Sequence, residues 1–166
     1  AFLLGPSDRF ALDQRIFNAI VGMACLVSLI AIFQNYFTGL PVVTVIVGMI
    51  ATIFYALLYT ASRSFGRYRM HIWPGALGTL MILVIFWIYN GGSAGGTHPF
   101  LSIAPLIFIL FISDRQRIVF LCLYIATTIA LLTIEYLYPA FVHGNLPPFT
   151  HFIDKTSATV QTQLVI

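Results

Sequence analysis

Glu135 has the strongest claim to chemistry in this chain, because it is the only glutamate and it lies inside a long apolar run. It stands 17 residues beyond Ile118. On a helix that is roughly 25 Å up a hydrocarbon core about 30 Å thick. An ionisable group at that depth is costly and requires a partner or a wet cavity. At helical spacing it shares a face with Tyr124, Thr128, Leu131 and Tyr138, a polar and aromatic stripe expected to face a bundle interior. Two roles fit such a carboxylate. It contacts a ligand or senses protons, or it reaches the interface and pairs with a loop donor.

Other polar groups end at the same level. Gln34 and Asn35 close the first apolar run, and Trp87, Tyr89 and Asn90 close the third. Ser93, Thr97 and His98 follow in a glycine-rich stretch, and His143, Asn145, His151 and Asp154 lie in the last connection. A few polar groups among many aromatics at the mouth of a bundle make a normal small-molecule site. The expected ligand-contacting set is Glu135, Asn90, Ser93, Trp87, His98, Tyr138, Thr128, Tyr124 and Asn35. The plainer reading is that outer loops are polar because they meet water.

Several chemistries are disfavoured. Residues 90–99 hold four glycines but no Lys and follow no strand, so they do not read as a phosphate loop. Glycine there allows positive φ, and its amides could cradle an anion; a tight connection is equally consistent. His151 and Asp154 have the spacing of two ligands on one helical turn, a pattern common by chance, so no metal is expected. Haem is not expected either, since His71 stands alone on its side and no run carries a mid-depth histidine. No nucleophile–base–orienter set is visible, and Ser and Thr inside apolar runs bond back to their own helix. This segment is therefore expected to hold no catalytic residue and no cofactor.

The elements that must position these residues are written in the charge. Hydrophobic residues make up 60% of the 166 positions and charged ones only 8%, against about 25% charged in a soluble domain. Seven of the eight basic residues fall in three clusters: Arg9 with Arg15, Arg63 with Arg67 and Arg69, and Arg115 with Arg117. Each cluster flanks apolar runs at the same end, and residues 34–40 and 90–99 carry no Lys or Arg. Every-other-loop alternation is what the positive-inside rule produces. The net charge of +3 therefore reflects membrane anchors and not a nucleic-acid surface. Cys25 and Cys122 sit within apolar runs, which argues against a structural disulfide or zinc site.

The pattern predicts an all-α membrane protein, a bundle of six spans with both termini cytoplasmic. Residues 1–15 read as an interfacial segment with Ser7 or Asp8 as a helix cap, and no cleavable signal peptide is apparent. The spans are expected over residues 16–37, 41–62, 72–89, 100–113, 118–138 and 156–166. Gly39, Leu40 and Pro41 make a tight turn, residues 63–71 an inner loop, and residues 114–117 another turn. Trp73 marks the inner interface of the third span, with Trp87 and Tyr89 at its outer one, and Pro105 kinks the fourth. Residues 90–99 cannot be helical and must lie in water or a protein-lined cavity. The last run gives 11 helical residues, about 16 Å of rise and half of a core. The chain is thus expected to be part of a longer protein and to stop inside its sixth span.

Three motifs carry a resemblance. They are Ser62-Arg63-Ser64-Phe65-Gly66-Arg67-Tyr68-Arg69, then Trp87-Ile88-Tyr89-Asn90-Gly91-Gly92-Ser93, and Ile134-Glu135-Tyr136-Leu137-Tyr138-Pro139 followed by Phe152-Ile153-Asp154. With them, nearly the whole chain resembles the six-span N-terminal sensor region of bacterial signalling receptors. The soluble output in that group is a histidine kinase, a GGDEF-type cyclase, an adenylyl cyclase or a phosphatase. The resemblance implies a sixth span that continues into a signalling helix, a homodimer, and a bacterial inner-membrane location. It also implies a small-molecule or membrane signal sensed around Asn90, Ser93 and Glu135. The expected partners are thus the lipid bilayer, a ligand of unknown identity and a second copy, with no nucleic acid. The alternative is the substrate-binding subunit of a vitamin-type uptake transporter, also six-span, whose small residues Ala19, Gly22 and Ala24 would pack a partner. A scaffold with no ligand is the third possibility.

Overall fold

The computed structural model describes residues 11–65 and 68–142, together with Thr156. Within them the chain is all helical. Five α-helices run in order: α1 (Leu12–Phe37), α2 (Val42–Phe65), α3 (Tyr68–Tyr89), α4 (His98–Ile109) and α5 (Asp114–Leu137). Single 3₁₀ turns follow α3 at Gly92–Ala94 and α5 at Pro139–Phe141. Four helices, α1, α2, α3 and α5, are long and apolar enough to cross a membrane. Their outward faces are clad in exposed Leu, Ile, Val, Met and aromatic side chains, which suits a lipid solvent. The caps proposed at Ser7 and Asp8, and the side chains of Arg9, Arg67, His143, Asn145, His151, Asp154 and Lys155, lie outside the described residues, as does nearly all of the sixth span.

At the arginine clusters the helices run beyond the expected spans, while α4 ends four residues short of its own. Basic residues interrupt the apolar pattern without interrupting the helix, since Arg is a good helix former. Helix α2 accordingly runs through Arg63 to Phe65 and α3 starts at Tyr68, so most of the inner loop expected over residues 63–71 is helix. Residues 114–117 are likewise the first turn of α5 and not a connection. Ser113 holds the extended N-cap conformation, Asp114 opens the helix, and Arg117 donates from Nε to the Ile112 carbonyl at 2.8 Å while pairing with Asp114 at 2.8 Å. The true α4–α5 turn is residues 110–113. Helix α4 is only 12 residues, about 18 Å, and does not itself span a core of about 30 Å.

Neighbours in sequence pack as neighbours in space, as short connections require. The α1–α2 pair is the most extensive. Gly39 turns between the two helices with φ of +70°. The pair is stitched at two depths. Buried Gln14 donates to the Ser62 carbonyl at 2.8 Å, and the Ser62 hydroxyl donates to Asn18 Oδ1 at 2.6 Å. Halfway along, Thr52 and Ser28 hydroxyls meet at 3.1 Å, and Gly48 lets Ile32 approach so closely that an added Cβ would lie 2.9 Å from its Cγ1. The other helices close around Phe17, Leu58, Ala76, Phe108 and Phe120. At the Gln14 end, Trp73 of α3 donates to Gln116 of α5 at 3.1 Å. The opposite end gathers the termini of α1, α3 and α5 with the glycine loop, and the predicted polar residues lie there.

Candidate functional site: a cleft and its latched loop

The glycine loop is compact and mostly buried, with Ser93 and Ala94 at its exposed tip. Asn90 continues from α3 with its amide bonded to Phe86, Gly91 and Gly92 take positive φ (78° and 58°), and a 3₁₀ turn follows. Gly91, Gly92, Gly95, Gly96 and Thr97 are all buried. Two glycines are dictated by contact. A Cβ on Gly92 would lie 2.5 Å from Glu135 Oε2, and one on Gly95 would overlap the Asn90 carbonyl oxygen. The expectation that the loop is non-helical thus gives way to one 3₁₀ turn, held in protein.

What holds the loop is Glu135. Its carboxylate accepts from the Ser93 hydroxyl at 2.6 Å and from the Ser93 amide at 3.0 and 3.2 Å. The short O–H···O contact is in the range of a charge-assisted bond. The loop donor that could pair with this carboxylate is therefore Ser93. Both belong to the expected set, and the latch joins the end of α5 to the α3–α4 connection.

On the far side of the loop lies a cleft of about 170 Å³ between α1 on one wall and α3 and α4 on the other. It extends from Phe17 and Phe111 at one end to Asn35, Asn90 and Thr97 at the other. Along α1 that is 18 residues, about 27 Å. The cleft is long, narrow and almost wholly apolar. Its polar atoms fall in two places. Ser28, Tyr55 and Thr79 sit at mid-depth, where the Tyr55 and Thr79 hydroxyls bond each other at 3.0 Å. Gln34, Asn35, Asn90 and Thr97 form the mouth. Asn90 is 6% exposed; its Nδ2 reaches Thr97 Oγ1 at 3.5 Å, and its Oδ1 is buried with no hydrogen-bond partner. A buried acceptor left open is costly, so this end of α3 carries a polar penalty that the surrounding packing must offset.

The remaining predicted residues fall elsewhere. Trp87 is not at the outer interface; it is 1% exposed, with its ring 6.2 Å from that of His98 and its indole N–H unpartnered. Tyr124 is buried against Phe120, its hydroxyl also without a partner. Thr128 donates back to the Tyr124 carbonyl at 3.0 Å, so its hydroxyl serves its own helix. Tyr138 is 66% exposed and lies beyond the last residue of α5, so the stripe stops at Glu135. Helix ends break the helical register, and the period that placed Tyr138 in the interior fails there. Among the described residues no three His, Cys, Asp or Glu side chains converge as metal ligands.

Sequence reasoning missed the cleft. The signal was present in small residues on facing walls, Ala24 and Ala31 on α1, Ala51 on α2 and Ala104 on α4. Ala24, read as a packing surface for a partner, lines this cleft instead. Comparison of the chain with protein families, with curated proteins and with solved structures found no match.

Proposed function

We propose that this chain is the membrane-embedded input domain of a bacterial signalling receptor, responding to a small molecule that occupies the α1–α3–α4 cleft. The observation that carries the reading is the shared loop. Asn90, Gly96 and Thr97 border the cleft mouth, and Ser93 of the same loop is held by Glu135 of α5. A ligand that reseats the loop changes how α5 is held, and α5 leads towards the next span. Such a ligand shifts the receptor only if it binds the two loop arrangements differently.

The reading takes six spans, cytoplasmic termini and an inner-membrane location, supported by the arginine alternation and the sensor-region resemblance. Dimerisation through the signalling helix comes with that resemblance. Any catalysis belongs to the attached output domain. The test is the intact mass and C-terminal sequence of the native gene product. A helical linker leading into a kinase, cyclase or phosphatase domain supports a receptor. A chain that ends soon after the sixth span refutes it in favour of the uptake-transporter subunit. In the receptor, Glu135→Ala is expected to uncouple output from ligand while leaving ligand binding in place.

A further inference from the structure

We infer that the cleft takes a small, uncharged, apolar molecule of about the size of one hydrocarbon ring, seated below its mouth. This rests on the reading of the cleft as the sensing site and gives that site its ligand class. Size, charge and polarity are each set by a separate observation.

The volume sets the size. The cleft holds about 170 Å³, and an engineered apolar cavity of about 150 Å³ stays dry and takes one benzene. Room arises where the lining side chains are small. Ala24 and Ala31 of α1 stand on one wall and Ala104 of α4 on the other. Counted from Asn35 and Thr97 at the mouth, at about 1.5 Å of rise per residue, Ala31 lies about 6 Å deep, Ala104 about 10 Å and Ala24 about 16 Å. The three therefore share one zone of about 10 Å of depth. Beyond it, the rings of Phe17 and Phe111 meet edge to face at 5.5 Å and close the inner end.

The lining sets the charge. No Asp, Glu, Lys, Arg or His is among the described residues that line the cleft. A charged guest would leave water there without meeting an opposite charge, which costs far more than burying a neutral group.

The polar groups set the polarity, because they are occupied. The Ser28 hydroxyl turns back to the Ala24 and Cys25 carbonyls, at 2.9 and 3.0 Å, and accepts from Thr52 at 3.1 Å. Tyr55 and Thr79 are bonded to each other at 3.0 Å. Nearer the mouth, Asn90 Nδ2 is turned to Thr97 at 3.5 Å and its Oδ1 is sealed in packed protein. A polar substituent on the guest would lose its bonds to water and meet little to replace them in the alanine zone. Burial of apolar surface is thus the source of affinity, and volume the source of selectivity.

The test uses the chain in lipid nanodiscs, with fluorobenzene dosed as a mole fraction of lipid, fluorine NMR as the readout and empty discs subtracted. Saturable binding is expected, with benzene competing equally. Phenol, with one unmatched hydroxyl, should compete about five-fold less well, and benzenesulfonate at least about ten-fold less well. Hexaethylbenzene, apolar but too large, should not compete. Ala24→Leu is expected to abolish saturable binding, and Ala104→Leu on the opposite wall does the same should the first variant not fold. No saturable fluorobenzene binding to the wild type overturns the inference. Phenol or benzenesulfonate competing as well as benzene overturns the apolar, uncharged assignment, and equal competition by hexaethylbenzene overturns the size limit. Binding that survives both substitutions places the guest outside the cleft and overturns the inference. The sensing role is read separately, by amide exchange at Ser93 under saturating fluorobenzene. A change there is expected; saturable binding without it keeps the ligand class and overturns the sensing reading.

Discussion

Truncating Glu135 to Ala removes three contacts to one residue, and a double-mutant cycle with Ser93→Ala separates them. The hydroxyl contact at 2.6 Å is charge-assisted, and such bonds contribute about 1.5–3 kcal/mol. Ser93 is exposed, so water replaces part of the loss and each bond falls below that range, to about 1 kcal/mol. The Ser93 amide contacts, at 3.0 and 3.2 Å, share a single N–H and count as one bond. Glu135→Ala is therefore expected to cost about 2 kcal/mol and Ser93→Ala about 1 kcal/mol. Their coupling should be about 1 kcal/mol, since Ser93→Ala deletes the hydroxyl but keeps the amide. For a chain of this size each kcal/mol moves the unfolding midpoint by about 2–4 °C. The assay is unfolding of the two single variants, the double variant and wild type in mixed micelles, with amide exchange at Ser93 as a second readout. That amide should lose protection in Glu135→Ala and keep it in Ser93→Ala. Additive costs, within about 0.3–0.5 kcal/mol, together with unchanged exchange, would refute the latch.

Other substitutions follow from close approaches. Gly92→Ala meets both a positive φ and the Glu135 carboxylate, and is expected to cost about 1–3 kcal/mol; in a Glu135→Ala background the cost should shrink, read by the same unfolding assay. Gly95→Ala overlaps the Asn90 carbonyl oxygen, so recovery of monodisperse folded protein should fall steeply while Gly39→Ala, at an open turn, is recovered. Gln14→Ala leaves the buried Ser62 carbonyl without its side-chain donor, and should lower stability by about 1–3 kcal/mol in the same micelles.

How much was legible depended on what each signal measures. Apolar length marked α1, α2, α3 and α5 because a bilayer demands that length, but it says nothing of where a helix stops once it leaves lipid. That is why Arg63 to Phe65, Tyr68 to His71 and Asp114 to Arg117 turned out helical. Glu135 stood out because charge in an apolar run is expensive, and its level matched Ser93 because both lie at the same end of their helices. Asn90 and Asn35 were legible for the same reason. Trp87 was misplaced because an interfacial and a buried tryptophan have the same sequence context. The cleft was not legible, since a void is a property of several helices at once. Alanines at 24, 31, 51 and 104 become informative only when the helices that face one another are known.

The stitching of α1 to α2 bears on the order in which the bundle is built. Both partners of each stitch, Gln14 with Ser62 and Ser28 with Thr52, lie within the first two helices to be synthesised. The hairpin can therefore lock as soon as α2 enters the membrane, before α3 exists. Its outer wall, the α1 face from Phe17 to Asn35, must then wait in lipid until α4 arrives. Paired cysteines on nascent chains of increasing length should cross-link across α1 and α2 first, and across α1 and α4 only in the longest chains. The cavity thus takes shape only when α4 packs against a hairpin already formed.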